Sequence, residues 1–127
     1  MMNKYLFISF LYLCGIQHTA LAQESVIWTD STLTFDYGDI DYGPVYPHEF
    51  VFFNNTTDTL SIETIRVDCG CTVPDWENIS IPPKTYGSIL VTYNPKRHGY
   101  FSEKVRVFFR ELKKPEILKV SGFVFKE

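Results

Sequence analysis

Residues 101–109 read FSEKVRVFF and show most clearly how this chain folds. Within them, the apolar residues Val105, Val107 and Phe109 alternate with charged positions such as Arg106. Successive side chains of a β-strand point to opposite faces of its sheet, so this period of two is typical of a strand with one buried face. We therefore predict a strand here, with the three apolar residues directed into the core.

Short apolar runs separated by turn-forming residues occur on both sides of this segment, and no stretch between residues 28 and 125 keeps helical spacing for three turns. Further strands are predicted from Leu33 and over Val45–Phe53, Leu60–Cys69, Tyr86–Tyr93 and Ile117–Phe125. Six or seven strands at this spacing indicate an all-β domain, and we favour a two-sheet sandwich over a barrel. Gly122 is expected to allow close packing. In the strand at Tyr86–Tyr93, one face is predicted to carry Ile89, Val91 and Tyr93, and in the last strand the inner face is predicted to carry Leu118, Val120 and Val124.

The strand predicted at Leu60–Cys69 changes its alternation part-way along. Leu60 and Ile62 are in step with each other but out of step with Val67 and Cys69. One extra residue in a β-bulge reconciles the two sets, so we predict a bulge near residues 63 and 64. Cys69 would then point inward with Val67.

The first 22 residues have the pattern of a secretory signal peptide. Lys4 precedes an apolar run from Tyr5 to Ile16, which is shorter than the about 20 residues that a membrane-spanning helix needs. Ala20 and Ala22 are the small residues that a signal peptidase recognises. We therefore predict cleavage after Ala22.

Removal of this leader leaves residues 23–127, which is a typical length for one domain with its own core. We expect this domain to be exported to the periplasm or the cell exterior, with no transmembrane helix. In an alternative interpretation, Cys14 is acylated and tethers the chain to a membrane, although the bulky Leu13 before it disfavours this.

The composition and the motifs of the chain argue against several classes of protein function. The full chain has a net charge of −3 and no basic stripe, which argues against nucleic-acid binding. No Gly-x-Ser-x-Gly elbow and no phosphate-binding glycine loop occurs, so we predict no catalytic residues and no cofactor. Trp76 has two interpretations: an aromatic residue that covers the end of the core, or an interaction anchor in an exposed loop.

Cys69 and Cys71 are the only cysteines after residue 22, and three alternatives exist for them. The first is a disulfide. Cα atoms two residues apart on an extended strand are roughly 6.6 Å apart, close to the upper limit of about 6.8 Å for a disulfide. A bend at Gly70 would close the ring, and the resulting bond would be strained and easily reduced.

The second alternative is a metal site, because two thiolates on one strand face suit copper(I) or zinc. Zinc normally takes four ligands, and nothing in the sequence places His48 or His98 near the cysteines. In the third alternative, both thiols are small buried apolar groups that pack against the sheet. The residues alone leave all three open.

Several motifs occur in a specific order: FDYG at 35–38, FVFFNN at 50–55, CGCT at 69–72, VTYNP at 91–95 and VSGFV at 120–124. In this order they resemble the bacterial exported family called domain of unknown function 1573. That family is similar to the immunoglobulin-like domains of the major-sperm-protein and ASH type. The resemblance implies an immunoglobulin-like sandwich of two antiparallel sheets with about seven strands.

Two positions depart from the family pattern. Pro83-Lys84 stands where the family usually has Pro-Gly, and Arg110-Glu111-Leu112 replaces a Ser-Asn pair, so both turns are expected to differ. The family carries no established activity. Because the sequence offers no catalytic set and sandwiches of this kind have open edges, we expect a non-enzymatic extracytoplasmic module that binds another protein at an open sheet edge. The alternative is a thiol-redox or soft-metal-binding protein that acts through Cys69 and Cys71.

Overall fold

The computed structural model describes residues 26–78 and 80–126, which form nine strands and no helix. The strands are Val26–Trp28 (β1), Thr34–Asp41 (β2), Tyr46–Asn54 (β3), Leu60–Val67 (β4), Thr72–Asp75 (β5), Ser80–Ile81 (β6), Tyr86–Tyr93 (β7), Gly99–Phe109 (β8) and Glu116–Phe125 (β9). The predicted leader at 1–22, including Cys14, lies outside the described residues. None of the described residues belongs to a helix long and apolar enough to span a bilayer.

The strands form two sheets, which confirms the predicted immunoglobulin-like sandwich. The first sheet has the order β1-β3-β7-β5, and the second has the order β2-β9-β8-β4-β6. Two details differ from the prediction. There are nine strands rather than about seven, because β1, β5 and β6 have only two to four residues each and are too short to produce a visible alternation. In addition, β2 runs parallel to β9, whereas the other pairs are antiparallel.

The core lies between the two sheets and follows the predicted alternation. Val105 and Val107 of β8 are fully buried and Phe109 is almost fully buried, as expected for the inner face of that strand. The residues predicted to share one face of β7 and those predicted on the inner face of β9 are also buried: Ile89, Val91, Tyr93, Leu118, Val120 and Val124.

The irregularity predicted in β4 is present. The pairing of β4 with β8 shifts register between Ile62 and Thr64, which is the position expected for the bulge. However, β4 ends at Val67 and not at Cys69, so the cysteines lie in the turn that follows the strand. Cys69 is half-buried in that turn.

Lys84, which stands where the family usually has glycine, lies in the turn after β6. Lys84 has a φ of 61°, in the left-handed region that favours glycine. Its backbone N–H donates to Asn54 O at 2.8 Å, and its Nζ donates to Asn55 Oδ1 at 2.9 Å. Lys84 therefore adopts a backbone conformation that favours glycine.

Asn54 connects this turn to the loop after β3. The side chain is fully buried, and its Nδ2 donates to Asp58 O and to Ile81 O, both at 2.9 Å. Its Oδ1 accepts from the backbone N–H and the hydroxyl of Thr56. Every polar atom of the side chain is thus paired, which is what burial of an amide requires.

Candidate functional site

Cys69 and Cys71 are bonded to each other in the structure, which is the first of the three alternatives. Their Cα atoms are 5.2 Å apart, well inside the range for a disulfide. The distance is shorter than that of an extended strand because the chain turns here, with the Thr72 N–H donating to Cys69 O at 3.1 Å. Gly70 lies at the turn, but a Cβ on it would meet nothing within 4 Å.

The disulfide belongs to a small aromatic cluster at one end of the sandwich. Cys71 is only 3% exposed and packs with Ile40, Tyr93 and Phe101. The rings of Tyr93 and Phe101 are stacked, with centroids 3.8 Å apart and an interplanar angle of 8°. The disulfide therefore lies against aromatic rings on its inner side, with half-buried Cys69 nearer the surface.

Glu103 is a neighbour of the cysteines that the sequence analysis missed. One of its carboxylate oxygens and the two Sγ atoms all lie within 4.8 Å of one another. The pKa of the Tyr93 hydroxyl is raised, first by burial and then by the negative charge of Glu103, while Arg97 acts in the opposite direction. The alternation in β8 was the available signal, because Glu103 is in step with Val105 and so falls on the inner face.

The hydrogen bonds around the disulfide determine how it would react. The Cys71 N–H donates to Cys69 Sγ at 3.2 Å and would stabilise a thiolate there. Burial disfavours a thiolate on Cys71 more than on half-buried Cys69, whereas the Glu103 carboxylate lies near both Sγ atoms and disfavours a thiolate on either. An attacking thiol would reach Cys69 first and would have to expel Cys71, the poorer leaving group. The local chemistry therefore disfavours rapid thiol exchange.

The two histidines considered as ligands lie elsewhere. The Nε2 atom of His48 is 3.0 Å from an Asp30 carboxylate oxygen, and its ring stacks on Phe35 at 3.5 Å. The Nδ1 atom of His98 is 3.1 Å from Phe125 O. Neither imidazole belongs to the group formed by the cysteines and Glu103.

Trp76 is half-buried directly after β5 and packs against the main core, whereas the cysteines belong to the separate aromatic cluster. It also lines a cavity of about 440 Å³. The buried residues Ile62 and Ile81 contribute to the apolar part of the lining. Two further contributors, Tyr86 and Leu90, are 71% and 39% exposed. Trp76 was recognisable in the sequence, but the cavity was not, because it is built from five separated segments.

The cavity borders a free stretch of backbone. β3 pairs with the whole length of β7, from Tyr86 to Tyr93. On the other side of β7, β5 pairs only with the residues from Leu90 to Tyr93. Within the described residues, Tyr86–Ile89 therefore has no strand on its outer side. We refer to Tyr86–Ile89 as the free edge of β7. Three of its four residues line the cavity.

Comparison with solved structures supports the fold. The chain is similar to an ASH/PapD-like domain of human CEP192, with a TM-score of 0.67, 10% identity and coverage of 98% of this chain and 99% of that one. It is also similar to a protein of unknown function from Porphyromonas gingivalis W83, with a TM-score of 0.67, 10% identity and coverage of 77% of this chain. The match spans only 46% of that Porphyromonas chain.

The chain is less similar to the secreted serine protease VesC from Vibrio cholerae, with a TM-score of 0.53 and 13% identity. That match covers 70% of this chain and 21% of the VesC chain. No curated protein matches the sequence. The sequence profile of the protein of unknown function DUF1573 matches residues 28–124, which is most of the chain. The chain therefore belongs to the DUF1573 family.

Proposed function

We propose that this protein is a non-enzymatic extracytoplasmic module that binds an extended segment of another protein at the free edge of β7. The observation that carries this proposal is the unpaired stretch Tyr86–Ile89 beside a cavity. A strand edge offers unpaired N–H and C=O groups to a partner strand, and a pocket next to it can receive alternate side chains.

The other sheet edges have features that discourage strand addition. β1 and β6 are three and two residues long, and Pro82-Pro83 follows β6. β5 contains Pro74, and β2 has an irregular register between Asp36 and Asp39. Short strands, prolines, bulges and charged residues are the usual means by which proteins protect sheet edges.

The free edge of β7 has none of these features. Its four residues, Tyr86, Gly87, Ser88 and Ile89, include no charge, no proline and no bulge. The uncovered part of β4 contrasts with it, because β4 contains the bulge at Ile62 and the charged residues Glu63 and Arg66. The free edge of β7 is thus the best available position for a partner strand among the described residues.

The proposed extracytoplasmic location is based on the signal-peptide pattern of residues 1–22. We propose that the chain is exported and that the leader is cleaved off after Ala22. Lipid attachment at Cys14 is the competing route. Intact-mass measurement of the purified protein separates them, since cleavage after Ala22 leaves Gln23 as the first residue and acylation leaves a lipid-bearing Cys14.

Site-specific photo-cross-linking in intact cells tests the binding proposal. A photoreactive amino acid at Ser88, which is exposed on the free edge, should give a discrete adduct with an envelope protein. The matched control carries the same group at Tyr100, which is 76% exposed on β8 and does not line the cavity. Equal adducts at both positions, or none at Ser88, would contradict the proposal.

A second candidate function is capture of a soft metal ion after the disulfide is reduced. The closeness of both Sγ atoms to the Glu103 carboxylate favours it, because thiolates and a carboxylate are ligands of zinc. A cellular thiol would have to supply two electrons and two protons to open the bond. Native mass spectrometry of the reduced protein with added zinc tests this, and Glu103→Gln should weaken retention of the metal.

A further inference from the structure

We propose that the segment bound at the free edge of β7 carries an arginine side chain, which enters the cavity beside Trp76. This inference rests on the proposed function and specifies the chemistry of the partner. It follows from the charge and the shape of the cavity lining.

Three carboxylates surround the cavity: Glu49, Asp75 and Glu77. Glu49 and Asp75 are both register partners of Leu90, so they flank it in one row across β3, β7 and β5. Opposite residues on neighbouring antiparallel strands lie on the same face, with strands about 4.8 Å apart, which places these two carboxylates on either side of the apolar Leu90.

None of the three carboxylates makes a salt bridge or a side-chain hydrogen bond within the described part of the chain, and the cavity lining contains no lysine, arginine or histidine. Negative charges that line a concave surface without a nearby positive charge produce a negative potential there. A cationic ligand is therefore favoured.

The rest of the lining excludes a small hydrated cation as the best occupant. Trp76, Ile62 and Ile81 give the cavity an apolar wall, and the Glu49 and Asp75 carboxylates are held apart by Leu90. The side chains that could gather around one metal ion do not include any of these three carboxylates. The site instead suits a cation on an apolar stem.

Arginine meets these requirements better than lysine. Its planar guanidinium stacks on aromatic rings and can hydrogen-bond to more than one carboxylate at the same time. Its three-carbon stem can pack along Leu90 and Trp76 while the charged group faces the carboxylates. A strand added at Tyr86–Ile89 would place alternate side chains over this cavity.

Titration of the 15N-labelled protein with three blocked pentapeptides tests the inference. The peptides have the sequence Thr-Val-Xaa-Val-Thr, in which Xaa is arginine, lysine or citrulline, the neutral isostere of arginine. We expect the arginine peptide to bind at least tenfold more tightly than the citrulline peptide and to shift the Trp76 indole resonance. Its affinity should fall with added salt.

The double variant Glu49→Gln/Asp75→Asn should weaken binding of the arginine peptide at least tenfold and leave the citrulline peptide unaffected. The matched control is Asp39→Asn/Asp41→Asn, which removes two exposed carboxylates of β2 and should change neither affinity. Equal affinity for the three peptides, a preference for lysine, or an unchanged affinity in the cavity variant would overturn the inference.

Chemical-shift changes at the amides of Tyr86–Ile89 show whether the arginine preference is wrong or the proposed strand addition is wrong. If the arginine and citrulline peptides bind equally and shift these amides, strand addition stands and the arginine preference is wrong. If the arginine peptide shifts Trp76 but not these amides, the cation site stands and strand addition at this edge is wrong. If no peptide binds, both are wrong.

Discussion

The ring of Phe101 occupies the space where a side chain on Gly122 would lie. A Cβ atom on Gly122 would come within 2.8 Å of two Phe101 ring carbons and within 2.9 Å of Gly38 O. Gly122 and Phe101 are register partners on β9 and β8. The absence of a side chain at 122 therefore allows Phe101 to reach the aromatic cluster, where it stacks on Tyr93.

Gly122→Ala should consequently destabilise the fold by about 1–3 kcal/mol, the usual range for an overpacked core. Urea denaturation of the variant measures the change. Gly70→Ala is the matched control, because a Cβ on Gly70 meets no atom within 4 Å and its φ is not positive. Equal stability of the two variants would contradict the packing role assigned to Gly122.

Asn54→Ala should cost more than about 2 kcal/mol of folding free energy. The substitution leaves the carbonyl of Ile81 and the N–H of Thr56 without the amide that pairs with them, whereas Asp58 O keeps its bond from the Thr56 hydroxyl. Each buried group left unpaired costs roughly 1–3 kcal/mol. Thermal and urea unfolding measure the loss, and Asn55→Ala serves as a control because Asn55 is less buried. A loss for Asn54→Ala no larger than for the control would show that water replaces the amide.

Lys84→Gly should raise the free energy of unfolding by up to about 1 kcal/mol. A non-glycine residue in the left-handed region carries a steric cost of about 1–2 kcal/mol, which the greater freedom of unfolded glycine partly offsets. The exposed contact of Lys84 Nζ with Asn55 contributes little. Lys84→Ala separates the two effects, since it removes the contact but keeps the Cβ. A gain in Lys84→Ala as large as in Lys84→Gly would argue against backbone strain.

Stability should decline in alkali because of Tyr37. Burial raises the pKa of its hydroxyl from 10.0 to about 12, so the folded state resists ionisation more than the unfolded state. The contribution of Tyr37 is present below pH 10 and is lost as the pH rises from about 10 through 12. Melting temperatures between pH 9 and pH 12 measure the decline, which Tyr37→Phe should reduce. The same decline in Tyr37→Phe would assign it to other groups.

Much of the fold could be predicted because long strands with one buried face display their alternation. The inner faces of β8 and β9, the alternation of β7 and the bulge after Ile62 followed from this pattern. β5 and β6 did not, because four and two residues cannot establish a period. The parallel pairing of β2 with β9 also left no local signal in the sequence. It depends on the path of the chain, which passes from the first sheet at β1 to the second sheet at β2.

The candidate sites were only partly predictable for the same reason. Cys69 and Cys71 were recognisable by their chemistry, but the turn that brings their Cα atoms to 5.2 Å depends on a backbone hydrogen bond from Thr72. Glu103 joins them from a strand more than thirty residues further along the chain. The cavity beside Trp76 arises from segments that only the topology brings together.

Amide hydrogen exchange of the protein with and without its cross-linked partner tests the central claim most directly. We predict that those amides of Tyr86–Ile89 that point away from β3 gain protection in the complex, because a partner strand pairs with the side of β7 that β5 leaves uncovered. Those of Leu90–Tyr93, already paired on both sides, should change little. Protection gained at β1 or β2, with none at Tyr86–Ile89, would contradict the account.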